Sequence, residues 1–357
     1  MLWKIPQEQK QRATKEPTSI IVCAKNEAAN LSNFLPAILL QAYPPHLYEV
    51  IVVNDASTDD TDMVLAKFSQ QYAHLNIVNI PQEATRNLPG KKYALQQGIK
   101  AAKCNRLLLT DADCKPGSEQ WLGQMSNTDA PIVLGYGAYE NRPGVLNKFI
   151  RWETVNTCMQ YAGYAAQGMP YMGVGRNLCY DKTLLNQLPH DTQFNEVYAH
   201  TPSGDDDLLV ARIANKGNTA VCINPQAQTI SLPKTTWATW WHQKKRHGST
   251  GKYYPERIKL LLGLYGLSHA LYWFLGFPIV FFGLQIDGNC NIVSPTTVLV
   301  GLSVVRLSLY WINALRWYRF LGEKKLAIFY PLGDLGWALY NVLLSPFILW
   351  KNKQDWK

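Results

Sequence analysis

The seven cysteines of the chain, Cys23, Cys104, Cys114, Cys158, Cys179, Cys222 and Cys290, include no C-x-x-C pair. That lack removes the spacing expected of a structural zinc site or a disulfide framework, and fits buried thiols in a reducing compartment. No secretory signal is visible in MLWKIPQEQKQRATKEP, which is polar almost from the start. No G-x-G-x-x-G follows the first apolar run, so a dinucleotide-binding reading loses its main support. Acids are the scarcer charge, 26 against 35 Lys and Arg, for a net charge of +9. The basic excess gathers near the apolar C-terminal third, which favours the face of an anionic membrane and argues against a nucleic-acid partner. With 357 residues, 47% of them hydrophobic, the chain has material for two or three structural units.

What is present is a repeated alternation of strand and helix signals. Thr18–Cys23 (TSIIVC), Tyr48–Val53 (YEVIVV), Asn76–Ile80 and Leu107–Asp113 (LLLTDAD) read as strands, the most apolar of them buried on both faces. Helical periodicity fills the gaps at Asn30–Gln41, from Ser57 or Thr58 as a cap to about Tyr72, and at Lys91–Lys103. The order implies an α/β domain with a mostly parallel sheet, whose ligands bind beyond the carboxyl ends of the strands. At that edge fall Asn26 and Glu27, then Asn54 and Asp55, then Asp111 and Asp113. In RLLLTDADC the two last aspartates sit two apart, so in an extended segment both project to one side and can hold a hard divalent cation. A plain polar turn is the alternative for an isolated D-x-D.

CAKNEAANL, VVNDASTDDT, GKKYAL, LLTDADC, SGDDDLL and QKKRH occur in register along the first 254 residues. Together they resemble family 2 glycosyltransferases with a GT-A fold, in particular the membrane-bound cellulose/hyaluronan synthase-like group. The resemblance implies a nucleotide-diphosphate sugar as donor and Mg2+ or Mn2+ as cofactor. It assigns Glu27, Asp55, Lys91 and Asp111 to the donor nucleotide, and Asp113 with Asp111 to the metal. Asp55 would accept a hydrogen bond from an imide N–H of the base; a helix-capping carboxylate is the alternative. Lys91 follows Gly90 at a helix start, where a cation and free backbone N–H groups can meet a diphosphate, although Lys92 beside it leaves the choice open.

The acceptor side follows. Gly173, Gly175, Arg176 and Asn177 in MGVGRNLCY match the segment that lines the sugar pocket in the family, with a glycine-rich turn as the alternative. In GDDDLL three adjacent carboxylates repel one another, which should raise at least one pKa toward the range of a general base. The resemblance makes Asp206 that base, Asp205 the flanking acid and Asp207 a helix-start residue; three acids that merely favour a helix N-terminus are the alternative, and LLVARIANKG reads as a helix ending at Gly217. One base and one metal imply direct displacement with inversion. Gln243 and Arg246 match the family's Q-x-x-R-W motif, which contacts acceptor and diphosphate, with His247 in the tryptophan position; a weaker grip on a growing chain is one expectation, and a histidine that sits at the membrane surface without touching substrate is the alternative.

Trp237, Trp240 and Trp241 fall on one helical face with Lys244 and Lys245 pointing away, which reads as a helix on the bilayer surface, with a plain core stripe as the alternative. Beyond Pro255, residues 260–286, 292–314 and 326–350 are each long enough to span. The loop with Arg316, Arg319, Lys324 and Lys325 is then cytoplasmic and QIDGNCN external, which puts the catalytic domain in the cytoplasm of a multi-pass membrane protein. Lys351, Lys353 and Lys357 fit that scheme poorly, so the third segment, with Pro331, Asp334 and Pro346, is also a candidate re-entrant helix. Arg306 inside the second span needs a partner, either Asp334 or a lipid phosphate. Members of the family the chain resembles often begin with a further spanning helix, of which Leu2 and Trp3 would be the remnant. The expected units are 1–17 juxtamembrane, 18–233 catalytic, 234–255 interfacial and 256–357 membrane. A lipid-linked or polysaccharide acceptor in cell-envelope synthesis follows from the resemblance and the membrane segments. A nucleotidyltransferase and a non-catalytic nucleotide-sugar-binding subunit are the rival readings.

Overall fold

Among the described residues, ten strands carry the fold: β1 Thr18–Ala24, β2 Tyr48–Asp55, β3 Leu75–Ile80, β4 Arg106–Asp111, β5 Cys114–Pro116, β6 Ile132–Leu134, β7 Gly137–Tyr139, β8 Leu178–Asp181, β9 Thr219–Val221 and β10 Thr229–Ser231. The structure, a computed structural model, describes residues 5, 10–201, 203–248, 250–279 and 295–349. The helices are α1 Ala28–Leu39, α2 Thr61–Gln71, α3 Lys91–Ala101, α4 Trp121–Ser126, α5 Val145–Ala166, α6 Thr192–His200, α7 Asp207–Ile213, α8 Trp237–Gly248, α9 Glu256–Leu271, α10 Pro295–Phe320, α11 Lys324–Ala327 and α12 Tyr330–Leu349.

Seven strands form one sheet in the order β3-β2-β1-β4-β8-β6-β9. β1 pairs parallel with β2 and β4, and β2 with β3, as the alternating sequence signals require. β8 runs antiparallel between β4 and β6, so the sheet is mixed beyond β4. Side chains alternate across the pleat. Ile20, Val22, Val50, Val52 and Leu108 pack with Leu31 and Leu35 of α1 on one face, while Ile21, Cys23, Ile51, Val53, Leu107 and Leu109 meet α3 and α5 on the other. Helix α3 lies so close to β1 that a Cβ at Gly98 would stand 2.7 Å from Ile21 Cγ2. The second sheet, β5-β10-β7, begins directly after Asp113 and props the far side of that turn.

Local signals needed two corrections. Ser57 and Thr58 do not cap α2, whose N-cap is Asp60; instead Ser57 Oγ accepts from Asn26 N–H (2.9 Å) and Asn26 Oδ1 accepts from Thr58 N–H (2.8 Å). These bonds hold Asn26 (φ +55°) and Ala56 (φ +51°) in left-handed backbone at the ends of β1 and β2. Helix α7 ends at Ile213, not Gly217, with Asn218 Nδ2 donating to the Ile213 carbonyl.

Glu256–Ile279 and Thr297–Phe320 are long and apolar enough to cross a membrane, by length and composition. Their outer faces expose Leu260, Leu264, Leu267, Val298, Leu302 and Val305. The expected QIDGNCN loop, the segment 280–286, Leu2, Trp3 and the lysines of the tail lie outside the described residues. Helix α12 runs unbroken from Tyr330 and packs on α5, with Trp337 edge-on to Trp152 at 5.7 Å. Arg306 finds the protein partner rather than requiring a lipid one: its Nη1 lies 2.9 Å from Asp334 Oδ2, while His269 Nε2 lies 2.9 Å from Oδ1. One carboxylate of α12 thus ties α9 and α10 together.

Candidate active site

β4 ends at Asp111, the chain turns through Ala112, and Asp113 leads into β5. The two aspartates therefore meet through a tight turn rather than along an extended segment. Their carboxylates and the Cys114 thiol all lie within 4.8 Å of one another. Lys91 opens α3 after Gly90 (φ +53°), and its ammonium donates to Asp111 Oδ1 at 2.5 Å and stands 3.4 Å from Asp205 Oδ2. Burial pushes the Asp111 carboxyl up, but the Lys91 charge outweighs it and holds the group below the usual carboxylate range. Burial and then the neighbouring Asp111 charge push Asp113 the other way. The pair fits a hard divalent cation, since two oxygen donors converge and their mutual repulsion is what a cation would relieve. Cys114 is the poorer donor, because burial and its acidic neighbours keep the thiol protonated, and it donates to Asp113 Oδ1 at 3.3 Å.

Lys92, the other lysine of the pair, has a different task. It is 1% exposed, donates to the carbonyls of Tyr198 and Thr201 at 2.7 Å each, and lies 4.0 Å over the Tyr198 ring. Burial pulls its pKa down to about 8. It anchors the end of α6 just before the GDDD run, and Lys91 alone faces the aspartates.

Gly204 (φ +86°) turns the chain into α7, and Asp206 is the N-cap of that helix. Asp206 Oδ1 accepts from Asp207 N–H at 2.8 Å and Oδ2 from Gly175 N–H at 2.5 Å. A Cβ at Gly175 would stand 3.0 Å from that same Oδ2, so the side chain of any other residue would press on the carboxylate. Burial, then the charge of Asp205, pushes Asp206 up to about 6, against the Lys91 charge and the two backbone bonds. Asp205 turns toward Lys91. Asp207 is buried behind, near Thr250 Oγ1 (3.3 Å) and the Tyr254 hydroxyl (3.4 Å), and burial with the Asp206 charge pushes its pKa far up. The crowding expected of three adjacent acids is present, and burial is its larger part.

These groups line one cavity of about 400 Å³. Glu27, Lys91, Asp111, Asp113, Gly173, Gly175, Arg176, Asp205, Asp206, Gln243 and Arg246 are all on its wall. Arg176 donates to the Gly137 carbonyl (2.6 Å) and the Tyr139 hydroxyl (3.1 Å), which also lies 3.5 Å from Gln243 Nε2. Two expected site residues are elsewhere. Asn177 is wholly buried in the core, where its amide donates to the carbonyls of Tyr136 and Ala227 and its oxygen accepts from Trp121 Nε1. Asp55 is wholly buried at the end of β2 and off the cavity wall; it caps no helix, and Arg86 pairs with its Oδ1 at 2.6 Å. The side chain of His247 lies outside the described residues, although its backbone continues α8.

Sequence reasoning missed Lys25, Lys234, Glu153 and Lys244 on the same wall. Trp240 is buried against Phe149 of α5 and Lys244 turns inward to Glu153 at 2.5 Å, contrary to a helix with tryptophans on one side and lysines pointing away. Helical spacing could not choose between core and membrane for an apolar stripe.

Comparison with known proteins adds the family. The Glycosyl transferase family 2 profile matches residues 19–131, which contain Glu27, Asp55, Lys91, Asp111 and Asp113. Residues 19–131 belong to glycosyl transferase family 2. The chain is 25% identical over 291 residues to the probable glycosyltransferase YdaM of Bacillus subtilis, covering 77% of this chain and 66% of the relative. It is 33% identical over 237 residues to a beta-monoglucosyldiacylglycerol synthase of Nostoc sp., covering 65% and 48%. The chain thus spans about two thirds of the first relative's length and about half of the second's. A solved structure of the mannosyltransferase PcManGT from Pyrobaculum calidifontis, in complex with GDP-Man and Mn2+, superposes with a TM-score of 0.56 at 19% identity over 94% of this chain and 91% of that one. The likeness identifies the GT-A fold of the family 2 domain.

Proposed function

We propose that the chain is a membrane-bound, inverting glycosyltransferase that moves a sugar from a nucleotide-diphosphate donor to the hydroxyl of a lipid-linked or glycan acceptor. The observation that carries this reading is the convergence, in one cavity, of the Asp111–Asp113 pair, Lys91 and a half-buried Asp206 whose pKa stands at about 6. A nucleotidyltransferase or a binding subunit has no use for a carboxylate poised in that range.

In this reading Lys91, Lys234 and Arg246 face the donor diphosphate and counter its charge. Asp111 and Asp113 would hold Mg2+ or Mn2+, which supplies Lewis-acid stabilisation to the departing diphosphate. Asp206 accepts the proton of the acceptor hydroxyl through Oδ2, the oxygen aligned by Gly175 N–H. The acceptor oxygen then bonds to the anomeric carbon as the bond from that carbon to the β-phosphate oxygen breaks, and a single displacement inverts the centre. Asp205, held by Lys91, keeps the base crowded and its pKa up. Glu27 borders the nucleoside end. Asp55 would act on the base only if Arg86 swung aside or read the same base with it.

We assign residues 18–233 to catalysis, 234–255 to the membrane interface and 256–357 to the membrane, with the catalytic unit on the cytoplasmic side. The basic loop at Arg316, Arg319, Lys324 and Lys325 supports the cytoplasmic side, and the similarity to a beta-monoglucosyldiacylglycerol synthase supports a lipid setting. The test is release of nucleoside diphosphate by the purified full chain across a panel of nucleotide sugars, with and without a divalent cation. Release from one donor, dependent on the cation, is expected. No release and no donor binding would refute the reading.

A further inference from the structure

The cavity has a second wall that the donor chemistry leaves unused. It is made by Glu153, Thr157 and Gln160 of α5, Lys244 of α8, and Tyr340 and Asn341 of α12, and Leu262 of α9 closes it toward the candidate spans. At its centre is the Glu153 carboxylate, from a residue 3% exposed. Oε1 accepts from the Tyr340 hydroxyl (3.1 Å) and from Thr157 Oγ1 (3.2 Å), and Oε2 pairs with Lys244 Nζ (2.5 Å). Three helices, one from the catalytic domain, one from its edge and one from the apolar region, therefore meet on one carboxylate.

Holding helices together does not require this. Burying a carboxylate and an ammonium costs several kcal/mol of desolvation each, and apolar side chains of the same volume join helices at least as well. What the ionic cluster adds is a set of hydrogen-bonding atoms facing the cavity at the end nearest the candidate membrane helices. Its charge is also informative. Glu153 and Lys244 cancel, and Thr157, Gln160, Tyr340 and Asn341 are neutral donors and acceptors. The next cations along α8 are on the cavity wall too, but both are engaged: Lys245 lies 5.7 Å over the Trp241 ring, and the Arg246 charge is felt at Asp111 on the donor side. A phosphate placed against this wall would meet the Glu153 charge with its counterion already engaged.

We propose that Glu153, Lys244 and Tyr340 form the acceptor head-group subsite, and that it takes an uncharged, hydroxyl-bearing lipid head group, a glycerol or a glycoside, and not a lipid phosphate. The inference rests on the reading of the cavity as a glycosyltransferase site. A polyol can donate to Glu153 and accept from Lys244, Gln160 and Asn341 without bringing a charge into a neutral wall. Its acyl chains would leave past Leu262 and Trp337, both on the cavity wall.

The test uses the full chain in phospholipid nanodiscs with whichever nucleotide sugar supports diphosphate release. Dioleoylglycerol, a glucosyl-dioleoylglycerol and a polyprenyl phosphate are offered as acceptors. Glycosylation of a neutral lipid and none of the polyprenyl phosphate is expected. Tyr340→Phe and Thr157→Val should each raise the KM for the neutral lipid several-fold, and the charge-neutral double variant Glu153→Leu/Lys244→Leu should raise it by about tenfold or more, for the loss of two or more hydrogen bonds. The donor KM should not move in any of them, which a global defect would not spare. Transfer to polyprenyl phosphate instead of the neutral lipids would overturn the proposal, as would an unchanged acceptor KM in Tyr340→Phe and Thr157→Val. Should the double variant fail to fold, those two single variants decide. Absence of diphosphate release from every donor would overturn the donor-site reading itself, whereas release with the wrong acceptor overturns this inference alone.

Discussion

Asp206 offers the sharpest quantitative consequence of the site. Its pKa rises from the ordinary 3.8 to about 6, through burial first and the Asp205 charge second. The base works only when ionised, so kcat/KM should fall on an acid limb centred near pH 6, dropping by about tenfold for each unit below it. At pH 5 that leaves about a tenth of full activity, whereas a carboxylate at its ordinary value would still be almost wholly ionised there. Lys91 currently restrains the shift, so Lys91→Met should move the limb to higher pH while also weakening donor binding. Asp206→Asn should lower kcat by about 10²–10⁴-fold, with the donor KM nearly unchanged. The sign for stability runs opposite to activity: the folded state binds this proton more tightly, so its contribution is complete below pH 3.8 and is lost as pH rises through about 6. Two pKa units correspond to about 3 kcal/mol of ionisation cost at neutral pH. Asp206→Asn should therefore melt no lower than wild type at pH 7.5, even though it loses one of two good acceptors. The assay is diphosphate release between pH 4.5 and 8, with circular dichroism at each pH to confirm a folded chain. An acid limb near pH 4, or donor affinity lost in step with transfer, would refute the role.

Three further outcomes follow from particular contacts. Gly175→Ala sets a methyl group 3.0 Å from Asp206 Oδ2 and should cut kcat by about tenfold while the fold and the donor KM hold, since the loss is one aligned charge-assisted bond; unchanged kcat would show that the alignment is idle. Arg106 is wholly buried, paired with Asp181 at 2.8 Å and bonded to the Ala130 carbonyl, so Arg106→Met should cost about 3–5 kcal/mol in chemical denaturation, and a loss under about 1 kcal/mol would mean that water or a shifted Asp181 takes its place. Asp334→Asn should weaken the joint among α9, α10 and α12 and lower the melting midpoint in detergent, with Arg306→Leu in the same chain restoring part of it; no recovery would separate the two residues.

The parts of the fold that were legible in the sequence are those with a local cause. TSIIVC, YEVIVV and RLLLT each hold an unbroken apolar run, IIVC, VIVV and LLL, because β1, β2 and β4 are covered on both faces, and the polar residues that follow mark the edge where the site forms. β8 carried no such signal of direction: it enters between β4 and β6 after α5, and only tertiary contact decides that it runs antiparallel. The aspartates of DAD were legible by type, while the turn that joins them was not, because an extended segment and a tight turn can each bring residues two apart together. Asn177 stood in a motif and was read with it, yet the buried carbonyls of Tyr136 and Ala227 claim its amide. Glu153 was invisible for the opposite reason. It sits alone in a helix with no motif, and its meaning comes from Lys244 and Tyr340, which lie 91 and 187 positions away.

The central claim is that Asp111 and Asp113 hold the cation against which a nucleotide-sugar diphosphate departs. Diphosphate release by the purified full chain, titrated with EDTA and then with Mn2+ or Mg2+, tests it directly, with Asp113→Asn measured alongside. The account predicts that chelation abolishes release, that the added cation restores it in wild type, and that Asp113→Asn stays inactive at every cation concentration with its circular dichroism unchanged. Full activity in EDTA, or an active Asp113→Asn, would contradict it.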